Sequence, residues 1–248
     1  MKIPENILIT AGGTEEKIDR VRSITNKGTG KLGSLIAEQF AQYEEVKNIY
    51  YIHAKNAVLP KCGKVTLIPI TSTNDLLNAV NQICTEKQID AVIHSMAVSD
   101  YRVRSVLAAS TVMAIAQPAG GLETLFYFTD RESLTKKYNK IPSNTENPVI
   151  FLAPTPKIMP LFRQLLPQAV IVGFKLLDNV SHEELIDTAH RLLVKNDCDY
   201  VLANDYTTVE AGNHQGFLID KNKNETAFSG KQEIAEGIAK AVMNGGKA

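Results

Sequence analysis

An α/β fold is predicted for this chain: a doubly wound, mostly parallel, Rossmann-like sheet with an antiparallel hairpin near its C-terminus. Three observations predict it. Runs of strand character alternate with segments of helical periodicity along most of the chain. The first run, Ile7-Leu8-Ile9, reads as a buried strand and passes directly into the turn Thr10-Ala11-Gly12-Gly13-Thr14. Two late strand runs flank the polar stretch Asp220–Asn224, as a hairpin requires.

The elements follow in order. Ile7–Thr10 predicts the first strand. A long polar loop through Asp19, Arg22, Asn26 and Lys27 separates it from a helix at Leu32–Phe40, where Leu32, Leu35, Ile36 and Phe40 share a face. Val46–His53 and Lys64–Ile70 predict two more strands. Thr73 or Asn74 caps a helix through Leu76, Leu77, Val80 and Ile83. Ala91–Ser95 predicts a strand that runs into Met96–Asp100. Val149–Leu152, a helix at Ile158–Leu166 and the buried strand Ala169–Phe174 resume the rhythm. Ser181 and Glu184 make a capping box for a helix through Leu192, and Tyr200–Ala203 is the next strand. Phe217–Ile219 and Glu225–Phe228 form the hairpin, and a last helix runs from about Lys231 to Met243 behind a second box at Ser229 and Gln232. The segment Arg102–Asn147 breaks the pattern, with Pro118-Ala119-Gly120-Gly121 inside it and Lys136-Lys137-Tyr138-Asn139-Lys140 near its end. An irregular insert of that length is a functional flap, an oligomer contact or a disordered stretch. The expected organisation is one domain over residues 1–248 with this insert at about 102–147.

Bulk properties narrow the function. The 27 Lys and Arg balance 27 Asp and Glu, which argues against a broad basic face for nucleic acid or anionic lipid and leaves a local basic pocket open. Three cysteines, Cys62, Cys84 and Cys198, show neither disulfide nor zinc spacing and suit reduced thiols. No signal-peptide pattern opens the chain and no apolar run is long enough for a bilayer. A soluble cytoplasmic protein without nucleic-acid or membrane partners is expected.

The motifs point to a nucleotide or phosphate ligand. Paired glycines after a strand turn the backbone with N–H groups outward, which makes a nest for an anion. Gly28-Thr29-Gly30-Lys31-Leu32-Gly33 spells the dinucleotide fingerprint, but no strand immediately precedes it. Its glycines then open the helix and allow close packing, or Thr29, Gly30 and the helix start help hold a phosphate. Tyr43 and Lys47 have reductase spacing but fall too early, and read as a solvated pair. Ser95-Met96-Ala97-Val98-Ser99-Asp100, Gly173-Phe174 and Ala203-Asn204-Asp205 close three strands, and ligands of open α/β sheets bind at such ends. Lys140, Lys157 and Lys195 are isolated cations, each explicable as solvated surface. The five histidines lack metal-ligand spacing. Residue types alone give a ligand class and no reaction.

Five ordered motifs resemble a known family. Thr10–Thr14 with Ile18-Asp19, Val21-Arg22, Ile24-Thr25-Asn26 and Gly30–Gly33 is similar to the opening signature of the phosphopantothenoylcysteine synthetases, or phosphopantothenate–cysteine ligases. Ala97–Tyr101, Thr155-Pro156-Lys157-Ile158, Val172-Gly173-Phe174 and Lys195-Asn196 through Ala203-Asn204-Asp205 resemble four further signatures, and the likeness covers nearly all the chain outside Arg102–Lys137. The resemblance implies a ligase that joins 4′-phosphopantothenate to cysteine in coenzyme A biosynthesis. The route is an acyl nucleotide, with release of pyrophosphate and CMP. CTP with Mg2+ is the implied co-substrate, ATP the alternative, and the protein a homodimer with the insert near the subunit contact. It implies that Asn26 and Lys140 are catalytic, with Lys136 or Lys137 as alternatives for the flap lysine, because Ile141-Pro142-Ser143 replaces the family's usual basic continuation. It implies nucleotide contacts from Gly12, Gly13, Thr14, Ser95, Met96, Asp100, Thr155, Pro156, Lys157, Phe174, Arg191 and Lys195, and substrate contacts from Asn26, Arg22, Ala97 and Asn204. Met96 stands where relatives carry a smaller residue, which would narrow the base pocket. Metal ligands are not implied, and the chain resembles the stand-alone form, without the flavin-dependent decarboxylase domain. An NAD(P)-dependent short-chain reductase and a catalytically silent nucleotide-binding module are the competing readings.

Overall fold

The structure, a computed structural model, describes residues 3–116, 121–131, 133–210 and 214–245. The main sheet is laid down in an alternating sequence. β1 (Asn6–Ala11), α1 (Lys31–Phe40), β4 (Asn48–Ala54) and β5 (Val65–Ile70) build one half. α2 (Thr73–Glu86), β6 (Ala91–His94), α6 (Met159–Leu165), β9 (Val170–Leu177), α7 (His182–Asn196) and β10 (Tyr200–Asp205) build the other. The hairpin β11 (Gln215–Asp220) and β12 (Glu225–Ser229) leads into the final helix α9 (Gly230–Asn244). Six strands are parallel in the order β5-β4-β1-β6-β9-β10, and β11 and β12 extend that edge antiparallel. The chain winds outward from β1 in one direction and returns to β6 on the other side. The reversal of order therefore lies between β1 and β6, the place where open sheets of this kind collect ligands at the carboxyl ends of their strands.

The central strands β1, β6 and the first half of β9 are near-continuous apolar runs because both of their faces are covered. Along β1, Leu8 points into a layer with Leu76 and Val80 of α2, Phe162 of α6, and Leu185 and Leu193 of α7. Its neighbours Ile7 and Ile9 point the other way, to Ile36 and Phe40 of α1 and Ile234 and Ile238 of α9. Phe40 and Phe162 are fully buried, and each contributes roughly 2–3 kcal/mol by leaving water. Arg163 ties the second half together: it donates to the carbonyls of Pro167, Ala169 and Asp197 and pairs with Asp199 at 2.9 Å. Among the described residues no helix is long and apolar enough to cross a membrane.

Several expectations need correction. The polar loop after β1 contains a small hairpin, β2 (Glu15–Lys17) with β3 (Ser23–Thr25). The insert is not irregular. It opens with β7 (Tyr101–Ala108), continues through α3 (Ala109–Ala116), α4 (Gly121–Thr129) and α5 (Leu134–Tyr138), and closes with β8 (Pro148–Pro154). Of the predicted turn within it, Pro118, Ala119 and Gly120 lie outside the described residues. The predicted strand Val149–Leu152 belongs to β8, which pairs antiparallel with β7 in a separate ribbon and never joins the main sheet. Its residues alternate between half-buried and exposed, the pattern of a strand covered on one face only.

The caps differ too. Ser72, not Thr73 or Asn74, caps α2: its Oγ accepts from Asp75 N–H at 3.2 Å while the Asp75 carboxylate accepts from Ser72 N–H at 2.8 Å. Thr73 is buried and already bonded to Thr14 and Glu16. Ser181 caps α7 as expected, accepting from Glu184 N–H at 3.2 Å. Ser229 makes no side-chain cap; its N–H donates to Glu233, and Gln232 bonds Glu236 along the helix.

Candidate active site

At the reversal point the continuations of β1 and β6 stay joined beyond the strands. Ser95 N–H donates to Thr10 O at 3.1 Å, Ala97 N–H to Gly12 O at 2.9 Å, and Thr14 N–H to Ala97 O at 3.1 Å. Gly12 turns the chain at φ 95°, a conformation that suits glycine, and a Cβ there would lie 2.8 Å from that of Ala54. The expected outward nest is thus partly closed, since the Thr14 N–H is occupied. Thr14 is fully buried and its Oγ1 accepts from Ser99 N–H at 2.8 Å, so it braces the floor. Ser95 Oγ donates back to Thr10 O at 2.7 Å. Met96 is buried in the same core cluster as Leu8 and Phe162 and is not among the residues that line the cleft above.

Above this floor opens a cleft of about 460 Å³. It brings together Asp100, Thr155, Pro156, Lys157, Arg191 and Lys195, which are far apart in sequence. Asp100 follows β6, Thr155–Lys157 join β8 to α6, and Arg191 and Lys195 stand one turn apart near the end of α7, where the helix dipole favours cations. Lys175 of β9 also lines it, so four cations face one carboxylate in a chain of zero net charge. Lys157 Nζ pairs with Asp100 at 2.5 Å, with both side chains about two-thirds exposed. Such a pair contributes at most about 1 kcal/mol and yields readily to a polyanion. The wall also contains His94, whose Nδ1 is 2.7 Å from Thr10 Oγ1 and whose ring meets Phe162 edge-on. Burial lowers its pKa to about 4, so the imidazole is neutral at physiological pH.

Other expected residues lie outside this cleft. Phe174 points to the opposite layer, against the core of α1 and α9, because alternation along β9 turns its neighbour Lys175 to the cleft. Asn204 is buried and its Nδ2 donates to Gln215 O at 2.6 Å, joining β10 to β11. Asn26 follows β3 and borders a small cavity of about 70 Å³ with Gly13, Thr25 and Gly28. A Cβ on Gly13 would collide with the Asn26 carbonyl, so glycine there lets the Asn26 loop close on the β1 turn. A third space of about 370 Å³ is lined by Glu16, Lys17, Ser72, Asp75 and Arg102. It shares Glu15 with the Asn26 cavity and Thr155 with the large cleft.

The flap lysines are placed differently from one another. Lys136 donates to Asp130 O, and Lys137 lies 5.2 Å over the Tyr138 ring. Lys140 is exposed and makes no ion pair among the described residues. Arg22 grips Asp19 through Nε at 3.0 Å and Nη2 at 2.5 Å, and Nη2 also donates to Ile141 O at 2.8 Å. This guanidinium and the surrounding N–H donors hold the Asp19 carboxyl well below the usual carboxylate range.

Comparison with known proteins agrees with this fold. Residues 3–111 and 128–245 match the family described as the DNA/pantothenate metabolism flavoprotein C-terminal domain. The chain belongs to this family. A crystal structure of the DNA/pantothenate metabolism flavoprotein from Streptococcus pneumoniae is 36% identical, with a TM-score of 0.83 over 96% of this chain and 98% of that one. The coenzyme A biosynthesis bifunctional proteins CoaBC of Thermococcus kodakarensis and Methanocaldococcus jannaschii are each 28% identical, over 94% and 95% of this chain. The chain spans about half the length of these curated relatives, 49% and 50%. A Cab2 mutant in complex with phosphopantothenate-cysteine shares the fold, with a TM-score of 0.70 at 18% identity over 98% of this chain and 86% of that one. Within the family fold, sequence reasoning overlooked His94 and Lys175. Neither carries a local signal: the face that Lys175 takes is set by the register of β9, and His94 stands at the end of β6 without any spacing to read.

Proposed function

We propose that this protein is a phosphopantothenate–cysteine ligase. The observation that carries this reading is the cleft at the carboxyl ends of β6 and β9, where Asp100, Lys157, Arg191 and Lys195 surround one space on the same rim as the Asn26 loop. Lys157, Lys175, Arg191 and Lys195 suit a triphosphate, and Asp100, released from Lys157, accepts from ribose hydroxyls. The nucleotide is CTP, with ATP as the alternative. Mg2+ would accompany the triphosphate and offset its charge; among the described residues no cluster of three or more His, Cys, Asp or Glu side chains could hold a metal ion, so the nucleotide and water would supply most of its ligands.

In the first step a carboxylate oxygen of 4′-phosphopantothenate attacks the α-phosphorus, and the bond to the bridging oxygen breaks to release pyrophosphate. Lys140 neutralises charge accumulating on the phosphates. The second step needs the activated acyl group because a carboxylate alone is a poor electrophile. The cysteine amine attacks the acyl carbon, CMP departs with the bonding electrons, and the amine loses a proton. The Asn26 amide donates to the carbonyl oxygen as its charge grows. A homodimer through the β7–β8 ribbon is part of this reading, supported by exposed Tyr101, Ile150 and Leu152.

The reductase reading has no support: Tyr43 and Lys47 precede β4, at the amino ends of the parallel strands and away from the cleft. Purified protein mixed with 4′-phosphopantothenate, cysteine and each nucleoside triphosphate in turn tests the ligase. Release of pyrophosphate, fastest with CTP, is expected. Absence of pyrophosphate with all four would overturn the assignment, and CTP binding without turnover would favour a silent module.

A further inference from the structure

We propose that Asp19 is a positioning residue that fixes the backbone around Lys140 relative to Asn26; this rests on the ligase reading above. The Asp19 side chain is fully shielded from solvent, although it lies in a turn. A shielded carboxylate is costly unless its oxygens are bonded. Oδ1 accepts from the N–H groups of Val21 and Arg22, both at 2.8 Å, and these local bonds suffice to close the β2–β3 turn. Oδ2 does something the turn does not need. It accepts from the Arg22 fork and from Ile141 N–H at 3.1 Å, across 122 residues of chain.

Two more bonds converge on the same place. Arg22 Nη2 donates to Ile141 O at 2.8 Å, and Arg20 N–H donates to Asn139 O at 3.1 Å. Lys140 is therefore bracketed on both sides by residues bonded to one turn. Ile141 is buried, and Asn139 adopts φ 58°, which directs the chain back onto the turn. β3 leads from Arg22 straight to Asn26. The residue assigned to the first chemical step and the one assigned to the second thus grow from a single hydrogen-bonded body. With the residues on both sides of Lys140 tied to that turn, less of the segment has to be ordered when substrate binds, which lowers the entropic part of the barrier. The same geometry gives Arg22, expected as a substrate contact, a role in holding the flap.

Asp19→Asn keeps the size and removes the charge that organises the Arg22 fork. The expected result is a fall of about tenfold in kcat for pyrophosphate release with the CTP dissociation constant unchanged within about twofold. In a Lys140→Ala background the same change should lower the residual rate by less than about twofold, because the two substitutions remove one function. A kcat near wild type, a matching loss of CTP affinity, or full additivity with Lys140→Ala would overturn the proposal. Should Asp19→Asn fail to fold, hydrogen exchange on the wild type decides: Ile141 N–H is expected to be protected about a hundredfold or more, and exchange at the unstructured rate overturns the clamp. An inactive wild type sinks the ligase assignment and this role with it. An active wild type with an unaffected variant sinks this role alone.

Discussion

His94 shows how one buried side chain can govern the acid stability of the fold. Its imidazole is neutral in the native state, with a pKa near 4, and ordinary in the unfolded chain, near 6.5. Between those values the unfolded state binds more protons, so stability rises with pH across that window and is complete above about 6.5. The loss from pH 7 to pH 5 should be about 2 kcal/mol, read as a shift in the urea midpoint. His214, whose pKa burial also lowers, adds to the slope, whereas Asp19, Asp75 and Asp205, held below the usual carboxylate range, contribute a loss only at lower pH. His94→Gln should flatten the dependence, and an unchanged slope would refute the role. Nothing in the sequence signalled this: a histidine at a strand end carries no spacing to read, and its neutrality comes from Phe162 and the cleft wall, far away in the chain.

The elements were legible where the pattern is local, and obscure where partners are distant. The central parallel strands were found because β1, β6 and the start of β9 are near-continuous apolar runs. The β7–β8 ribbon was not, because a bulge between Val103 and Ser105 breaks the alternation of β7 and its partner lies some forty residues on. The glycine series Gly28–Gly33 left two readings open, and the geometry favours close packing. A Cβ on Gly33 would lie 2.6 Å from the Ala11 Cβ and 2.9 Å from Ser95 Oγ, so α1 rests directly on the ends of β1 and β6. Gly33→Ala should therefore cost about 1–3 kcal/mol in a denaturant titration. Gly63→Ala, where a Cβ would meet nothing within 4 Å, is the control and should be nearly neutral.

At the scale of the molecule, the rim was readable because open α/β sheets collect their ligands at strand ends, and three such ends carried small or polar residues. Which side chains turn toward the rim was less readable: the opposite orientations of Phe174 and Lys175 depend on register. The ribbon presents Tyr101, Ile150 and Leu152 outward, and Met113, Phe126 and Tyr127 on its helices are also exposed. Apolar area of this kind is normally covered by a partner. The expected result is a dimer by sedimentation equilibrium, shifted toward monomer by Leu152→Lys; a monomeric wild type at micromolar concentration would exclude the dimer. The shared walls of the three cavities have a further meaning. Thr155 borders both the cationic cleft and the space beside Arg102, and Glu15 borders that space and the Asn26 loop. In the proposed ligase, an activated acid made at one station would reach the next by swinging rather than by escaping, so hydrolysis would compete with capture only for as long as that swing takes.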